Sequence, residues 1–274
     1  MVAATKTPVP RVVLHVPHSS GAVPEDVRPQ LLLDDEELRH ELLCMTDWYT
    51  DELFALPPEE AVAVRSPVSR LVVDPERFQD PEREPMEQVG MGAVYTKTAH
   101  GARLRDEAVA ARERESLLAR FYHPHHAELA KSAAAALAAH GSCLIVDCHS
   151  FPSRPLPYEL EAAADRDAVL RRPSVCLGID PVHTPPWLRR RAWILMHEML
   201  DRWPHEVPRR VAFDRPFAGT IVPRPYQGDV RFVSIMVELR RDLYMDEETG
   251  GRLADFAGCA AAVQMALREL AVLL

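Results

Sequence analysis

Apolar residues along this chain recur with two periods. Short, nearly unbroken runs rich in β-branched residues lie at residues 11–16, 61–64, 70–73, 143–146, 174–179, 207–213 and 230–239. Bounded by proline, glycine or charge, they predict strands, and their lack of polar alternation predicts a sheet buried on both faces. Elsewhere apolar positions return every three or four residues, as in Leu38, Leu42, Met45, Tyr49 and Leu53. That period predicts helices, the first capped by Asp34 or Asp35, with others over residues 106–122, 124–139, 186–203 and 252–274. Thr46-Asp47 interrupts the first of these, giving one bent helix or two with Asp47 at the joint. Residues 79–86, 151–172 and 215–228 are rich in proline, glycine or charge and read as loops, the first covering one side of a site. Strands alternating with helices predict an α/β sandwich on a mixed, largely parallel sheet.

Three predicted strands deliver polar groups at their carboxyl ends, where ligands collect in open α/β sheets. The first runs through His15 and Pro17 to His18, the fourth into Asp147-Cys148-His149-Ser150, and the last into Glu238. Two histidines and one carboxylate, with Asp47 available from the helical segment, would complete a catalytic zinc site that keeps one position for water. His15 and His18 are three apart and face opposite ways on a strand, so both serve one ion only if Pro17 turns the chain. His18 is the safer ligand, and its plain alternative is a loop histidine bonded to backbone. Asp147 and His149 share a face if the strand continues, one orienting the other; otherwise the acid caps a turn and the histidine meets solvent. Glu238 reads as a desolvated general base or as an ion-pair partner of Arg240 or Arg241. Arg70, Arg77, Arg240 and Arg241 flank strand ends, and a clustered subset would grip a dicarboxylic substrate. His123-Pro124-His125-His126 would fan around a helix start, capping or packing at the surface rather than joining the site.

Composition narrows the functions. A length of 274 residues, 47% of them hydrophobic, suits one domain over residues 1–274. A net charge of -9 repels nucleic acid and anionic membranes, which leaves a small-molecule substrate. No apolar run approaches a membrane span, residues 1–11 lack a signal-peptide core, and five cysteines are an odd number. A cytoplasmic protein with reduced thiols is expected, its self-association left open. The chain has no G-x-S-x-G elbow, phosphate-binding loop, G-x-G-x-x-G or paired C-x-x-C, which weakens serine-hydrolase, nucleotide and dinucleotide readings.

Taken in order, six segments resemble the N-formylglutamate amidohydrolase family. They are His15-Val16-Pro17-His18-Ser19-Ser20-Gly21, Thr46-Asp47-Trp48-Tyr49, Ser69-Arg70-Leu71-Val72-Val73-Asp74-Pro75-Glu76-Arg77, Asp147-Cys148-His149-Ser150, Pro216-Phe217-Ala218-Gly219 and Val237-Glu238-Leu239-Arg240-Arg241-Asp242-Leu243-Tyr244. The resemblance implies a three-layer α/β/α sandwich similar to zinc carboxypeptidases and aspartoacylases. It implies cleavage of N-formyl-L-glutamate to formate and glutamate, a step of histidine degradation, with one divalent metal ion, zinc being expected. By motif, His18, Asp47 and His149 would hold the ion and Glu238 would be the catalytic carboxylate, Asp147 remaining the alternative to Asp47. Arg70 and Arg77 would bind substrate carboxylates, with Ser150 and Arg240 as further expected substrate contacts. Family members tend to carry asparagine where this chain has Pro75-Glu76. An acid there would repel a glutamate-like substrate. Other N-acyl amino acids, carboxypeptidase-like cleavage and a silent binder of acidic metabolites therefore stay as rivals.

Overall fold

The computed structural model describes residues 8–162, 166–203 and 209–272. Six strands, β1 (Val12–Val16), β2 (Ala61–Arg65), β3 (Cys143–Phe151), β4 (Val175–Gly178), β5 (Val211–Phe213) and β6 (Phe232–Arg240), form one sheet in the order β2-β1-β3-β6-β4-β5. The first four in that order are parallel; β4 runs antiparallel to β6, and β5 parallel to β4. The α-helices are α1 (Asp35–Met45), α2 (Thr50–Leu53), α3 (Glu107–Leu117), α4 (His123–His140), α5 (Pro157–Ala162), α6 (Arg166–Leu170), α7 (Pro186–Asp201) and α8 (Phe256–Ala271).

Side chains alternate across a strand, so each strand feeds two cores. Val12, Leu14, Leu144, Val146, Ile235 and Val237 pack with residues of α7 and α8 on one face. Val13, Cys143, Ile145 and Phe232 pack against Leu129, Ala133 and Ala136 of α4 on the other. Helices on both sides of a mostly parallel, mixed sheet make the expected α/β sandwich, and burial of both faces explains the unbroken apolar runs. On the α4 side the helix covers only the amino-terminal half of the central strands. Further along the same face the residues turn polar: His15, Asp147, His149 and Glu238.

Local sequence explains much of the helical framework. Asp34 caps α1 by accepting from the amides of Glu36 and Glu37, while Glu37 accepts from the amide of Asp34. The first helical segment is two helices with Asp47 between them. Three expectations need correction. Residues 70–73 form a turn in which the amides of Val72 and Val73 both bond to the carbonyl of Ser69, because Leu71 packs into one cluster and Val72 and Val73 into another. Residues 151–172 contain α5 and α6 rather than an unbroken loop. Residues 118–122, expected to continue α3, form a π-helical turn that leads directly into α4.

Of the strand expected at 207–213, residues 211–213 are β5, whereas 207 and 208 lie outside the described residues, as do 1–7 and the last two residues of the closing helix. All five cysteines are free. Among the described residues no helix is long and apolar enough to cross a membrane.

Candidate active site

From β1 the chain goes out to β2 on one side and returns as β3 on the other, so a crevice opens at the carboxyl ends of β1 and β3. His15 and Asp147 are register partners across β1 and β3, and His149 and Glu238 across β3 and β6, which places all four on one face. His18 follows β1, and its carbonyl accepts the Asp47 amide at 2.9 Å, tying the joint between α1 and α2 to the strand end. The cavity so formed measures about 670 Å³, and His18, Asp47, His149, Ser150, Glu238, Arg70 and Arg77 all line it. Residues 78–80 and Arg83 form one wall, as expected of that segment.

One donor atom each from His18, Asp47 and His149 lies within 4.8 Å of the others. Asp47 Oδ2 is 3.1 Å from His149 Nδ1 and 3.7 Å from His18 Nδ1. Asp147 reaches His149 from the opposite side of the ring, with Oδ1 3.0 Å from Nε2. A second group, His15, Glu76, Asp147 and His149, is equally compact, but every member of it is paired within the group, whereas in the first only Asp47 and His149 are hydrogen-bonded. His18 differs: Nε2 lies 2.8 Å from Asp74 Oδ1, whereas Nδ1 is buried and has no hydrogen-bond partner. Asp74 accepts from Arg70 Nε and Nη2 at 3.1 and 2.7 Å and from the Tyr95 hydroxyl at 2.6 Å. Burial opposes its charge, yet Arg70, His18 and Arg77 hold its carboxyl well below the usual range. The Asp74 carboxylate accepts, so His18 donates to it from Nε2 and turns Nδ1 toward the site.

The electrostatics suit a cation. Burial works against charge on Asp47 and Asp147, but the imidazoles of His149 and His18 keep Asp47 ionised, and those of His149 and His15 do so for Asp147. Burial works against a charged His149 as well, and the carboxylates of Glu76 and Asp147 outweigh it and raise its pKa well above the usual value. Glu238 goes the other way: burial pushes it up to about 8, and the His149 charge only partly offsets this. Its Oε2 is buried without a partner, and among the described ion pairs it has none with Arg240 or Arg241. Asp47, Glu76, Asp147 and Glu238 line the cavity with Arg70, Arg77 and Arg241 among them, and Asp74 lies directly behind His18. A divalent cation would take the place of the His149 proton between these carboxylates. The orphaned His18 Nδ1 and the N, N, O donor set therefore fit such an ion.

The arginines divide differently from expectation. Arg70 commits two nitrogens to Asp74, while Arg77, with 20% side-chain exposure against 12% for Arg70, is the freer cation in the cavity. Arg240 is corrected: it lies outside the cavity, donating to Asp242 at 2.7 Å and to the Arg172 carbonyl at 3.2 Å. Its neighbour Arg241 lines the cavity and donates to Asp47 Oδ1 at 3.1 Å and to the Ser150 hydroxyl at 3.3 Å. Of the histidines expected at the surface, His123 is exposed, but His125 is buried and His126 half-buried. His125 Nε2 lies 2.8 Å from His15 Nε2, and His126, in the cavity wall, donates from Nε2 to the Pro75 carbonyl at 2.8 Å. Glu76 turns its oxygens toward imidazoles, Oε2 at 3.1 Å from His149 Nε2 and Oε1 at 3.6 Å from His15 Nδ1. The far wall, Phe217 to Gly219, sits directly over β4, where a Cβ on Gly178 would come within 2.0 Å of the Gly219 carbonyl.

Two crystal structures are similar in fold. N-formylglutamate amidohydrolase from Ralstonia eutropha JMP134 aligns over 99% of this chain and 96% of its own, with a TM-score of 0.76 and 22% identity. Gene product Atu2144 from Agrobacterium tumefaciens aligns over 96% and 89%, with a TM-score of 0.59 and 20% identity. No curated protein matches the sequence. The family model for N-formylglutamate amidohydrolase matches residues 10–245. By the extent of that match, the chain belongs to the N-formylglutamate amidohydrolase family.

Proposed function

We propose that this protein is a metal-dependent amide hydrolase that removes the formyl or another acyl group from an acidic N-acyl amino acid. The observation that carries the reading is the convergence of His18, Asp47 and His149 on one point of a cavity into which Glu238 presents an unpaired, buried carboxyl oxygen. A divalent ion held by those three residues, zinc in the first instance, would supply Lewis acidity to the scissile carbonyl and acidify a water.

The chain's own groups do the rest. Glu238 accepts a proton from the attacking water as oxygen adds to the carbonyl carbon, then delivers it to the departing nitrogen as the C–N bond breaks. The products are a carboxylate and a free amino acid. Arg241 and Ser150 fix Asp47, the Ser150 amide donating to Asp47 Oδ2 at 3.2 Å. Arg77 is placed to hold a substrate carboxylate, with Arg70 behind it fixing Asp74. Because Glu76 faces His15 and His149, its charge is partly screened from an acidic substrate.

The test combines metal content with turnover. Protein purified without chelator should hold one divalent ion per chain and release glutamate from N-formyl-L-glutamate faster than from N-acetyl-L-glutamate or a glutamyl peptide. Glu238→Gln should lower kcat by about 10²–10⁴-fold with the ion still bound. Wild-type turnover in that variant, or a metal-free native protein, removes the proposal. A preference for the acetyl or peptide substrate moves the substrate class and keeps the chemistry.

A further inference from the structure

We infer that His15 and His125, which touch neither the cation position nor the cavity's reacting groups, are positioning residues that fix the ring of His149 through Asp147. The inference rests on the cation site proposed above. Asp147 Oδ1 lies 2.7 Å from His15 Nδ1 and 3.0 Å from His149 Nε2, and Oδ2 accepts the Ile221 amide at 3.2 Å. Both imidazole nitrogens therefore converge on one carboxylate oxygen, which serves as acceptor for each. His149 Nδ1 lies 3.1 Å from Asp47 Oδ2, so this is the nitrogen that faces the proposed cation position, and a bound ion would replace that contact. His18 reaches the same outcome independently through Asp74.

His15 is what holds Asp147 in that role. It is fully buried on β1, opposite Asp147 in the sheet register. Its other nitrogen meets His125 Nε2 at 2.8 Å, with the ring centroids 4.9 Å apart. His125 is 5% exposed at the first turn of α4, the helix packed across β1 and β3. A continuous line therefore runs from α4 through β1 to the ligand on β3. Without His15, Asp147 would keep only His149 and one amide as donors. Its carboxylate would then be free to rotate, and Glu76, 3.1 Å from the same His149 nitrogen, would compete for the proton. Partners of this kind govern the orientation and basicity of a metal-ligating imidazole.

The test uses three variants of the full chain. His15→Leu removes the donor to Asp147, His15→Asn restores an N–H near the position of Nδ1, and His125→Leu removes the far support without touching Asp147. Zn²⁺ affinity is read by competition with a chromophoric chelator. Exchange of the His149 Nε2 proton is read by ¹H–¹⁵N NMR on cation-free protein. We expect His15→Leu to bind Zn²⁺ about 10–100-fold more weakly and His15→Asn to recover most of that loss. His125→Leu should fall between wild type and His15→Leu. The Nε2 proton, slow to exchange in wild type, should exchange fast in His15→Leu. Unchanged affinity and exchange in a folded His15→Leu overturn the inference, and if that variant does not fold, the same result in His125→Leu does so. Wild-type protein that binds no Zn²⁺ sinks the proposed function instead, and proton exchange then decides this inference alone.

Discussion

The guanidinium of Arg241 is buried between Asp47, Ser150 and the Cys44 carbonyl, which accepts from Nη1 at 2.6 Å. Arg241→Met would strand the Asp47 carboxylate, and stability should fall by about 3–5 kcal/mol in urea denaturation. Sequence could not separate Arg241 from Arg240, because strand alternation sets Arg240 on the face of Glu238. Two residues further along β6 the cavity has ended, and Arg240 meets backbone carbonyls and Asp242 instead. The turn that begins at Arg241 swings that side chain back over the site. His18, Asp47 and His149 were legible because each sits at the end of an apolar segment. His15 and Asp147 could be joined only by knowing that β1 and β3 are neighbours. Burial lowers His126 to about 4, so the fold carries it neutral. The unfolded chain takes up its proton near the ordinary value of about 6.5, so stability is full above that pH and drains away as pH falls toward 4. His126→Gln should flatten this decline by at most about 1.4 kcal/mol per pH unit, measured as denaturation midpoints from pH 7 to 4.

At the level of elements, β3 and β6 announced themselves as apolar runs, and the structure only extends them into their polar ends. The turn at 70–73 misled because three consecutive buried apolar residues look like a strand, whereas here they serve two separate clusters. The inward turn of His125 and His126 was unreadable for a geometric reason. The extra residue of a π-helical turn advances the helix face by about 100°, so a period counted through α3 no longer predicts which side chains of α4 face the sheet. Gly178 makes a testable element-scale point. An added Cβ would also come within 2.9 Å of Met236 Cβ, so Gly178→Ala must push the Phe217–Gly219 wall off β4. Displacement near 1 Å should reduce kcat/KM by about 10²-fold with the fold intact, read by steady-state kinetics beside circular dichroism.

At the scale of the whole molecule, Asp47, Asp147 and Glu238 are buried around one cavity, where the proposed cation would bind. Zn²⁺ should therefore raise the thermal midpoint and a chelator should lower it. Free ion at a hundred times its dissociation constant contributes about 2.7 kcal/mol. A midpoint indifferent to both would contradict the cation site. Layering was visible in the alternation of strands and helices, but strand order was not, since period and composition carry no record of which strand lies beside which. That order has a consequence for biosynthesis. The strand bearing Glu238 is the last of the six in sequence, yet it slots between β3 and β4 in the middle of the sheet. A nascent chain on the ribosome can assemble the imidazoles and Asp47 long before it has the carboxylate to work with. Until that strand emerges, the nine residues of β3 stand as an open edge, a template for mispairing that a chaperone would have to shield.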